Sequence, residues 1–431
     1  MKNKEVVNIG LLGLGTVGSG VARILLTQGE LLEKRTGVRF VLKRVCAKTI
    51  SKNIGVRVPK GLLTDDPFSI VSDPSVDIVV ELFGGIHPAK ELILQAINAG
   101  KHVVTANKAL LAENGDVFSK AAKKGCRIGF EASVCGGIPI VKSVREGLPS
   151  NQVDHFLGIV NGTCNYILTE MSQRGLDFSE ALHQAQEHGY AEQDPALDID
   201  GIDSAHKLAI LARLAFRQVV PYKAIHVEGI AKLSAADIEY AAELGYVVKL
   251  LAIGKINHGS LELRVHPAMI SVNHPLSNVQ GVYNAVFLHA DHAGDLLFYG
   301  RGAGMMPTAS AIMSDVVDIG KEVADQNMNG SSAFESLNLA KVLPIGAIRS
   351  MYYLRFQVRD KPGVLGRIAL ALGKNNISIL SVHQKESHDP RSVPVIILTY
   401  EAKESDLRNA LKTIDSGRDV SQKTVVIRVE K

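Results

Sequence analysis

The chain has 431 residues, of which 46% are hydrophobic and 21% are charged, and its formal net charge is +4. This length accommodates about two to four domains, and no apolar run reaches the ~18 residues needed to span a bilayer. The cations are spread without basic blocks, which argues against a dedicated nucleic-acid surface.

The chain start shows no sign of export. A short apolar run leads into a glycine turn without the cleavage pattern of a signal peptide, so we interpret it as a buried first strand. The cysteines form no metal-like or redox pair, and scattered thiols fit a reducing cytoplasm. We interpret all four as small buried side chains: Cys46, Cys126, Cys135 and Cys164.

Apolar runs alternate with helical patterns over residues 1–150, which predicts a Rossmann-type α/β domain with a doubly wound parallel sheet. The predicted strands are Val6–Leu12, Arg39–Ala47, Val76–Leu82 and His102–Thr105. The predicted helices are Gly18–Leu32, Pro88–Ala99 and Leu110–Lys124.

The pattern changes after Ser150. Helical patterns dominate 164–217 and shorter β-rich pieces follow over 247–298, which predicts a second, α+β domain over 151–325. We expect 300–325 to complete the first domain and 326–348 to be a linker. Residues 349–431 predict a βαββαβ unit. Its elements are Tyr352–Val358, Val364–Lys374, Ser378–Gln384, Val395–Tyr400, Glu404–Ile414 and Thr424–Val429.

A glycine-rich turn, GLGTVG, lies between the first predicted strand and the first predicted helix. Gly13 permits the tight turn, Gly15 lets the backbone approach a pyrophosphate, and Gly18 lets the helix pack closely on the strand. The helix start at Thr16 and Val17 offers N–H groups to the phosphates. A purely structural turn is the alternative, but the setting favours dinucleotide binding.

The end of the second predicted strand bears on the choice of cofactor. Lys43, Arg44, Lys48 and Lys52 lie there, and no carboxylate follows until Asp65. An acidic residue would favour NAD, whereas a basic strand end suits the 2′-phosphate of NADP. We therefore predict NADP, with NAD as the alternative if these cations are merely solvated.

Two stretches carry candidate chemistry. Lys108 follows the strand that ends at Thr105, where ligands of open α/β sheets bind, although such a lysine is more often solvated. Further on, Asp203 and Lys207 are four residues apart and share a helix face. A surface ion pair is the alternative, but the apolar sequence that follows favours a buried helix. There the lysine could deliver a proton to an alcohol or aldehyde oxygen, and Glu192 could accept hydrogen bonds from an ammonium group.

A third stretch, FEASVCGGIP, combines Glu131 with glycines that expose backbone carbonyls. Such a set suits a hard cation. On chemistry alone, a plain strand-to-helix turn is the favoured interpretation.

Together these stretches resemble the homoserine dehydrogenase family over nearly the whole chain. The motifs, in order, are GLGTVG, VVTANKALLA, FEASVCGGIP, NGTCNYIL, GYAEQDPALDIDGIDSAHK and YGRGAGMMPTASAIMSD. The resemblance implies reversible reduction of L-aspartate 4-semialdehyde to L-homoserine with NAD(P)H, a step of threonine, methionine and isoleucine biosynthesis. With no aspartokinase segment ahead of residue 1, it implies the monofunctional form, and a homodimer or homotetramer.

The resemblance also implies roles for individual residues. Lys207 would donate the proton to the aldehyde oxygen, and Asp203 would orient it or its water. The substrate would be surrounded by Lys108, Thr163, Tyr190, Glu192 and Asp198. A sodium ion would be held by Glu131 and by the carbonyls of Val134, Gly136 and Ile138; Cys135 departs from the small residue usual there. The cofactor would contact Thr105, Lys108, Gly189 and Gly302 besides the glycine turn.

The C-terminal unit resembles an ACT domain, an amino-acid-sensing module, with the signature VRDKPGVLG. The effector, expected to be L-threonine, would bind the turn after the first strand at a domain–domain interface, where N–H groups can meet a carboxylate. A module that only dimerises is the alternative. The expected effector residues are Asp360, Gly363, Val364 and Leu365, with Asn376 bordering the same site.

Two rival functions remain open at this point. An aldehyde dehydrogenase acting through a cysteine thioester would use Cys135 or Cys164, neither of which has a histidine beside it in sequence. A regulator that binds NADP without turnover would not need Lys108, Asp203 and Lys207, whose presence speaks against it.

Overall fold

The structure is a computed structural model that describes residues 5–47, 57–325, 337–384 and 392–430. The chain forms two compact units, each assembled from separate stretches. The first unit comprises Met1–Gly162, Asp203–Tyr222 and Val282–Ala340. The second comprises Thr163–Ile202, Lys223–Gly281 and Lys341–Lys431.

The strands and helices are as follows in chain order. The strands are β1 (Val6–Leu12), β2 (Arg39–Cys46), β3 (Leu63–Thr64), β4 (Ile78–Glu81), β5 (His102–Thr105), β6 (Ile128–Gly129), β7 (Val153–Ile159), β8 (Gln218–Val219), β9 (His226–Val227), β10 (Tyr246–Asn257), β11 (Ser260–Ser271), β12 (Tyr283–Ala290), β13 (Gly294–Arg301), β14 (Asn338–Leu339), β15 (Arg349–Val358), β16 (Ile379–Gln384), β17 (Val393–Thr399), β18 (Ala402–Lys403) and β19 (Val420–Glu430). The helices are α1 (Thr16–Thr27), α2 (Gly29–Thr36), α3 (Pro67–Ser72), α4 (Ala89–Asn98), α5 (Lys108–Glu113), α6 (Asp116–Lys123), α7 (Ile140–Lys142), α8 (Gly162–Arg174), α9 (Phe178–Glu187), α10 (Ala196–Ile199), α11 (Ile202–Phe216), α12 (Ala235–Glu243), α13 (Met305–Asp325), α14 (Val364–Lys374) and α15 (Glu404–Asp415).

The first unit is built on a parallel sheet with the strand order β3-β2-β1-β4-β5-β6. β1 lies inside it and pairs in parallel with β2 and β4. All four residues of β4 and of β5 are buried, as expected for strands covered on both faces. The predicted doubly wound parallel sheet is therefore confirmed.

A helix that the sequence analysis did not predict, α13, packs against α1 in this unit. Ala309 and Ile312 of α13 share a buried core with Val21 and Ile24 of α1. Gly20 allows the close approach, because a β-carbon on it would lie 2.9 Å from the β-carbon of Ala309. A stretch far along the chain thus completes the packing around β1.

Two predicted helices are each split in two. The pattern over 18–32 becomes α1 and α2, which meet at Gln28 and Gly29, and the pattern over 110–124 becomes α5 and α6. At the second break the carbonyl of Gly115 accepts a hydrogen bond from Arg213 at 2.9 Å. A β-carbon on Gly115 would collide with that guanidinium, so a tertiary contact occupies the break.

The first unit also contains an antiparallel group of strands. β12 pairs with β13 on one side and with β7 on the other. The β-rich pieces predicted after residue 247 are longer than expected, since β10 and β11 of the second unit have 12 residues each. Together β10 and β11 form one antiparallel hairpin.

The C-terminal part of the second unit has the order β15, α14, β16, β17, α15, β19, which confirms the predicted βαββαβ arrangement. In its sheet β15 lies between β19 and β17, with β16 at the edge. β19 starts at Val420, four residues before the predicted start, and its far end also pairs in parallel with β11. The small module and the β10–β11 hairpin therefore share one sheet within this unit.

Candidate active site

The glycine turn connects β1 to α1 in the first unit. Gly13 has φ +106°, in the region that favours glycine, and its N–H donates to the carbonyl of Cys46 at 3.0 Å. A β-carbon on Gly18 would meet the Gly13 carbonyl, so Gly18 permits the helix to start directly behind the turn. A β-carbon on Gly15 would meet nothing within 4 Å, which leaves open space at the start of α1.

The basic end of β2 is only partly described. Lys43 and Arg44 are exposed there, and Arg44 lies 4.0 Å from Asp73. Lys48, the residue expected to meet the 2′-phosphate, lies outside the described residues. The choice between NADP and NAD therefore stays a prediction.

A buried carboxyl that the sequence analysis missed lies at the carboxyl end of the parallel sheet. Glu81 ends β4 next to Thr105 of β5, and Thr105 donates its hydroxyl hydrogen to Glu81 at 2.6 Å. The hydroxyl oxygen of Thr105 in turn accepts from the backbone N–H of Asn107 at 3.0 Å. The Asn107 side chain caps α5, whose first residue is Lys108, so this network fixes the turn that presents the lysine.

The candidate proton donor lies in a buried ion cluster of the first unit. Lys207 Nζ donates to Asp203 Oδ2 at 2.7 Å and to the carbonyl of Val160 at 2.6 Å. Lys108 Nζ lies 2.6 Å from Asp203 Oδ1, and Asn161 donates to Oδ2 at 2.9 Å. Asp203 and Lys207 are 5% and 9% exposed. The helical spacing has therefore produced a buried pair and not a solvated one.

Two lysines hold the Asp203 carboxylate in its charged form. Burial alone would raise its pKa, but the ammonium groups of Lys207 and Lys108 outweigh that effect and lower the pKa below its usual range. An ionised Asp203 can accept hydrogen bonds from both lysines and donate none. Its place between two cations suits it to orient them and not to transfer a proton itself.

The carbonyl of Val160 connects this cluster to Asn284, a residue that the sequence analysis did not single out. The carbonyl of Val160 accepts from Lys207 and also from the side-chain amide of Asn284 on β12 at 3.0 Å. A β-carbon on Gly302 would collide with that same amide. Asn284 thus lies between the candidate proton donor and the glycine expected near the nicotinamide.

The other residues expected around the substrate belong to the second unit. Thr163 Oγ1 lies 2.7 Å from the carbonyl of Tyr190 and 2.9 Å from Asp198 Oδ2. The ring of Tyr190 is 44% exposed and stacks on His188, with the centroids 5.8 Å apart. Gly189 between them has φ +71°. Thr163, Tyr190 and Asp198 therefore form one polar group.

Glu192 stands apart from that group. It is exposed, and its carbonyl accepts a hydrogen bond from the Gln186 side chain at 3.2 Å. An exposed carboxylate can still meet the ammonium group of an amino acid. Its assignment stays a prediction.

The stretch predicted to hold a cation forms a tight turn in the first unit. Glu131 is 2% exposed and accepts from the N–H groups of Val141 and Lys142 at 2.9 and 2.8 Å. Cys135 and Gly136 follow in consecutive left-handed conformations, with φ +54° and +49°. Within the described ranges no group of three or more histidine, cysteine or carboxylate side chains is arranged to hold a metal, so a cation here would depend on carbonyl oxygens.

This turn touches the glycine-rich stretch that follows β13. The N–H of Gly137 donates to the carbonyl of Arg301 at 3.1 Å. A β-carbon on Gly136 would lie 2.6 Å from the carbonyl carbon of Gly302, and one on Gly300 would lie 3.1 Å from the Ile138 side chain. The structure thus brings the expected cation residues and Gly302 together.

The four cysteines are buried thiols, as predicted. Burial raises the pKa of Cys135 to about 11, although Lys207 and Asn284 favour its thiolate. The Cys164 thiol donates to the carbonyl of Asp198 at 3.2 Å. A thiol that stays protonated and buried is a poor nucleophile, so the thioester mechanism finds no support here.

The effector residues divide between the two ends of α14. Gly363 has φ +81° and starts the helix, with Val364 buried and Leu365 39% exposed after it, while Asp360 is exposed in the preceding turn. Asn376 has φ +59° and lies beyond the other end. The helix has 11 residues, about 16 Å at 1.5 Å per residue. Within one chain Asn376 therefore lies at the opposite end of the helix from the turn, and its place in an effector site at a domain–domain interface stays a prediction.

None of the helices in the described part of the chain is long and apolar enough to cross a membrane.

Three family profiles match the chain in succession. Residues 13–131 match the profile described as the NAD-binding domain of homoserine dehydrogenase. Residues 139–317 match the profile described as homoserine dehydrogenase, and 352–416 match the ACT domain. The matches follow the order of the motifs quoted above.

Individual relatives cover the chain from end to end. The homoserine dehydrogenase of Neisseria gonorrhoeae is 44% identical over 98% of both chains. The crystal structure of a homoserine dehydrogenase from Thiobacillus denitrificans superposes with a TM-score of 0.94 at 42% identity and covers 100% of both chains. A hyperthermophilic archaeal homoserine dehydrogenase, solved in complex with NADPH, covers 75% of this chain and 98% of its own, with a TM-score of 0.62 at 26% identity.

Proposed function

The chain belongs to the homoserine dehydrogenase family, and we propose that it interconverts L-aspartate 4-semialdehyde and L-homoserine with a nicotinamide cofactor. The observation that carries this proposal is the buried cluster of Lys207, Asp203 and Lys108. Aldehyde reduction produces an alkoxide that needs a proton, and the cluster holds two ammonium groups beside one carboxylate.

Lys207 is the proposed proton donor in reduction and acceptor in oxidation. Its bonds to Asp203 and to the Val160 carbonyl fix the amine on α11. Lys108, which is more exposed with 43% of its side chain accessible, is placed to bind the substrate oxygen. A bound nicotinamide supplies or accepts the hydride, and the glycine turn at the start of α1 would hold its pyrophosphate.

The substrate's amino-acid end is assigned to the polar group of the second unit. Asp198 and Glu192 can accept hydrogen bonds from an ammonium group, and the Thr163 hydroxyl lies within hydrogen-bond distance of Asp198. A carboxylate held by a neighbouring hydroxyl keeps its orientation without ligand.

We assign NADP as the preferred cofactor. The support is the cationic end of β2, where Lys43 and Arg44 are exposed, together with Lys48 in the sequence that follows. The archaeal relative was solved with NADPH, which agrees with this choice. NAD remains the alternative to be measured.

The residues of the third stretch fit a sodium ion. A buried carboxyl on Glu131 lies in the same turn as the left-handed residues Cys135 and Gly136, and hard cations prefer carboxylate and carbonyl oxygens. Val134, Gly136 and Ile138 would contribute those carbonyls. When bound, the ion would supply positive charge beside Glu131 and hold the turn against Gly302.

The remaining assignments concern regulation, assembly and location. We propose L-threonine as the effector of the ACT domain, acting at the turn of Asp360, Gly363, Val364 and Leu365. The enzyme would then be inhibited by an end product of the threonine, methionine and isoleucine pathway. A homodimer or homotetramer and a cytoplasmic location are proposed from the family and the reduced, buried thiols.

The test is homoserine oxidation by the purified chain, followed by the absorbance of the reduced nicotinamide with NADP and NAD in turn. We expect turnover with both, a lower KM for NADP, and a decrease when L-threonine is added. A chain that binds NADP but shows no homoserine-dependent absorbance change would be a sensor and not the enzyme.

A further inference from the structure

Arg428 on β19 joins the ACT domain to another part of the second unit. Its Nη1 and Nη2 donate to Glu228 at 2.9 and 3.0 Å, and its Nε and Nη2 donate to Glu404 at 2.9 and 2.7 Å. Only 3% of Arg428 is exposed. A guanidinium buried this deeply needs good hydrogen-bond geometry to offset its lost hydration. Glu404 begins α15 of the same domain, whereas Glu228 follows β9.

Backbone contacts hold Glu228 and the two residues after it between β11 and α10. Its N–H donates to the carbonyl of Val265 on β11 at 2.7 Å. The next residue, Gly229, packs against α10, since a β-carbon on it would lie 2.6 Å from the α-carbon of Asp200. Ile230 then donates its N–H to the carbonyl of Ile199 at 2.9 Å. Residues 228–230 therefore lie backbone against backbone on α10.

α10 carries Asp198 and has only four residues. A single turn is far below the ~12–15 residues at which an isolated helix becomes even marginally stable. Its orientation must come from its neighbours, and residues 228–230 are one of them. Asp198 uses that orientation to keep its carboxylate 2.9 Å from Thr163 Oγ1.

We propose that Arg428 is a positioning residue for the substrate site, because it holds Glu228, and through Gly229 it holds α10 and the carboxylate of Asp198. The inference rests on the proposed function, in which Asp198 binds homoserine. Through Arg428, the last strand of the ACT domain would then affect the affinity for homoserine. The proposal concerns the binding of the amino-acid end of homoserine and assigns Arg428 no part in proton transfer.

The first test is steady-state kinetics of Glu228→Gln and Arg428→Gln in the full-length chain. Glu228→Gln is the milder change, because Arg428 keeps Glu404 as its partner. We expect both to raise the KM for homoserine about three- to tenfold, with kcat and the KM for NADP within about twofold of wild type.

The matched control is Arg355→Gln. Arg355 lies on β15 of the same domain and bonds to the buried Asp237 of α12 at 2.7 and 2.9 Å, so it is an equivalent ion pair that does not contact α10. It should leave the KM for homoserine unchanged. If Arg355→Gln raised this KM as much as Glu228→Gln does, a general loss of stability would explain the effect and the inference would be wrong.

A double-mutant comparison tests whether the effect passes through Asp198. In an Asp198→Asn background, Glu228→Gln should add little to the rise in KM, because both changes act on one carboxylate. If the factors by which the two substitutions raise the KM for homoserine multiplied in the double variant, the substitutions would act independently and the proposal would be wrong.

A final measurement does not depend on activity. Amide hydrogen exchange over residues 196–201 should become faster in Glu228→Gln than in wild type and stay unchanged in Arg355→Gln. Unchanged exchange in both would refute the positioning role, whether or not the chain oxidises homoserine. Absence of homoserine oxidation by wild type would instead refute the proposed function.

Discussion

Thr105 donates its hydroxyl hydrogen to the buried carboxyl of Glu81, and the two oxygens are 2.6 Å apart. The contact exists because β4 and β5 pair in parallel with Glu81 directly opposite Thr105. Burial raises the pKa of Glu81 to about 7, although Thr105 and the N–H of Phe83 favour its charged form. The turn before Lys108 is therefore linked by hydrogen bonds to a carboxyl group whose charge changes near neutral pH.

The first prediction follows from this pKa. The folded chain keeps a proton on Glu81 between the ordinary pKa of 4.5 and about 7, whereas the unfolded chain releases it. The contribution of Glu81 to the free energy of unfolding is therefore complete below about pH 4.5. It is lost as the pH rises through 7, by on the order of 3 kcal/mol. Glu81→Gln removes this titration, so its unfolding midpoint in urea should fall less between about pH 5 and 8 than that of wild type.

The control for that measurement is Glu30→Gln, which changes an exposed carboxylate on α2 of the same unit. It should reproduce the pH dependence of wild type. An identical pH dependence of Glu81→Gln and wild type would show that Glu81 is ionised in the folded chain throughout this range.

The sequence revealed those parts of the site that depend on local spacing. Asp203 and Lys207 share a helix face because they are four residues apart, and the apolar residues after them predicted their burial. Glu81 and Asn284 could not be found in this way. Their partners lie 24 and 124 residues away and meet them only through strand register and tertiary packing.

The fold shows the same division. The alternation of strands and helices predicted the parallel sheet, and α14 was predicted to the residue. The break at Gly115 was not predictable, because a tertiary contact with Arg213 occupies it. Residues 300–325 were expected to complete the first domain, but the helix α13 was not predicted.

The second prediction concerns the cofactor. Lys48→Glu should raise the KM for NADP about tenfold or more and change the KM for NAD little, since it places a carboxylate where a 2′-phosphate is expected. Lys34→Glu on α2 makes the same charge change on an exposed helix and serves as the control. If both cofactors bind to Lys48→Glu as they do to wild type, the basic strand end does not select NADP.

The third prediction concerns the effector. Deleting the ACT domain would be a poor test, because Glu430 of β19 pairs with the buried Arg264 of β11, and the deletion would leave that arginine without this partner. Gly363→Ala is a sharper change, since φ +81° suits glycine and the substitution strains the turn. We expect half-inhibition to need about tenfold more L-threonine, with uninhibited turnover retained.

Gly373→Ala is the control for the effector site. It lies near the other end of α14, and its added β-carbon would meet nothing within 4 Å. Inhibition of this variant should match wild type. If L-threonine inhibited Gly363→Ala and wild type equally, the effector would bind elsewhere or the ACT domain would serve only in assembly.

The last prediction concerns the proton. Lys207 is held by Asp203 and the Val160 carbonyl, where it can protonate the alkoxide that hydride transfer leaves on the substrate. General acid–base groups typically contribute ~10²–10⁴-fold, so Lys207→Ala should lower turnover by that order in both directions while NADP binding stays nearly intact. Asp203→Asn should also lower turnover, because it removes the charge that orients both lysines. Glu192→Gln should act mainly on the KM for homoserine.

A control is provided by a pair with the same spacing in the same unit. Asp116 and Lys120 lie 2.6 Å apart on α6, four residues from each other, with about half of each side chain exposed. Lys120→Ala should leave turnover near that of wild type, because a solvated pair contributes little. Near-normal turnover in Lys207→Ala would instead mean that Lys108 or water delivers the proton.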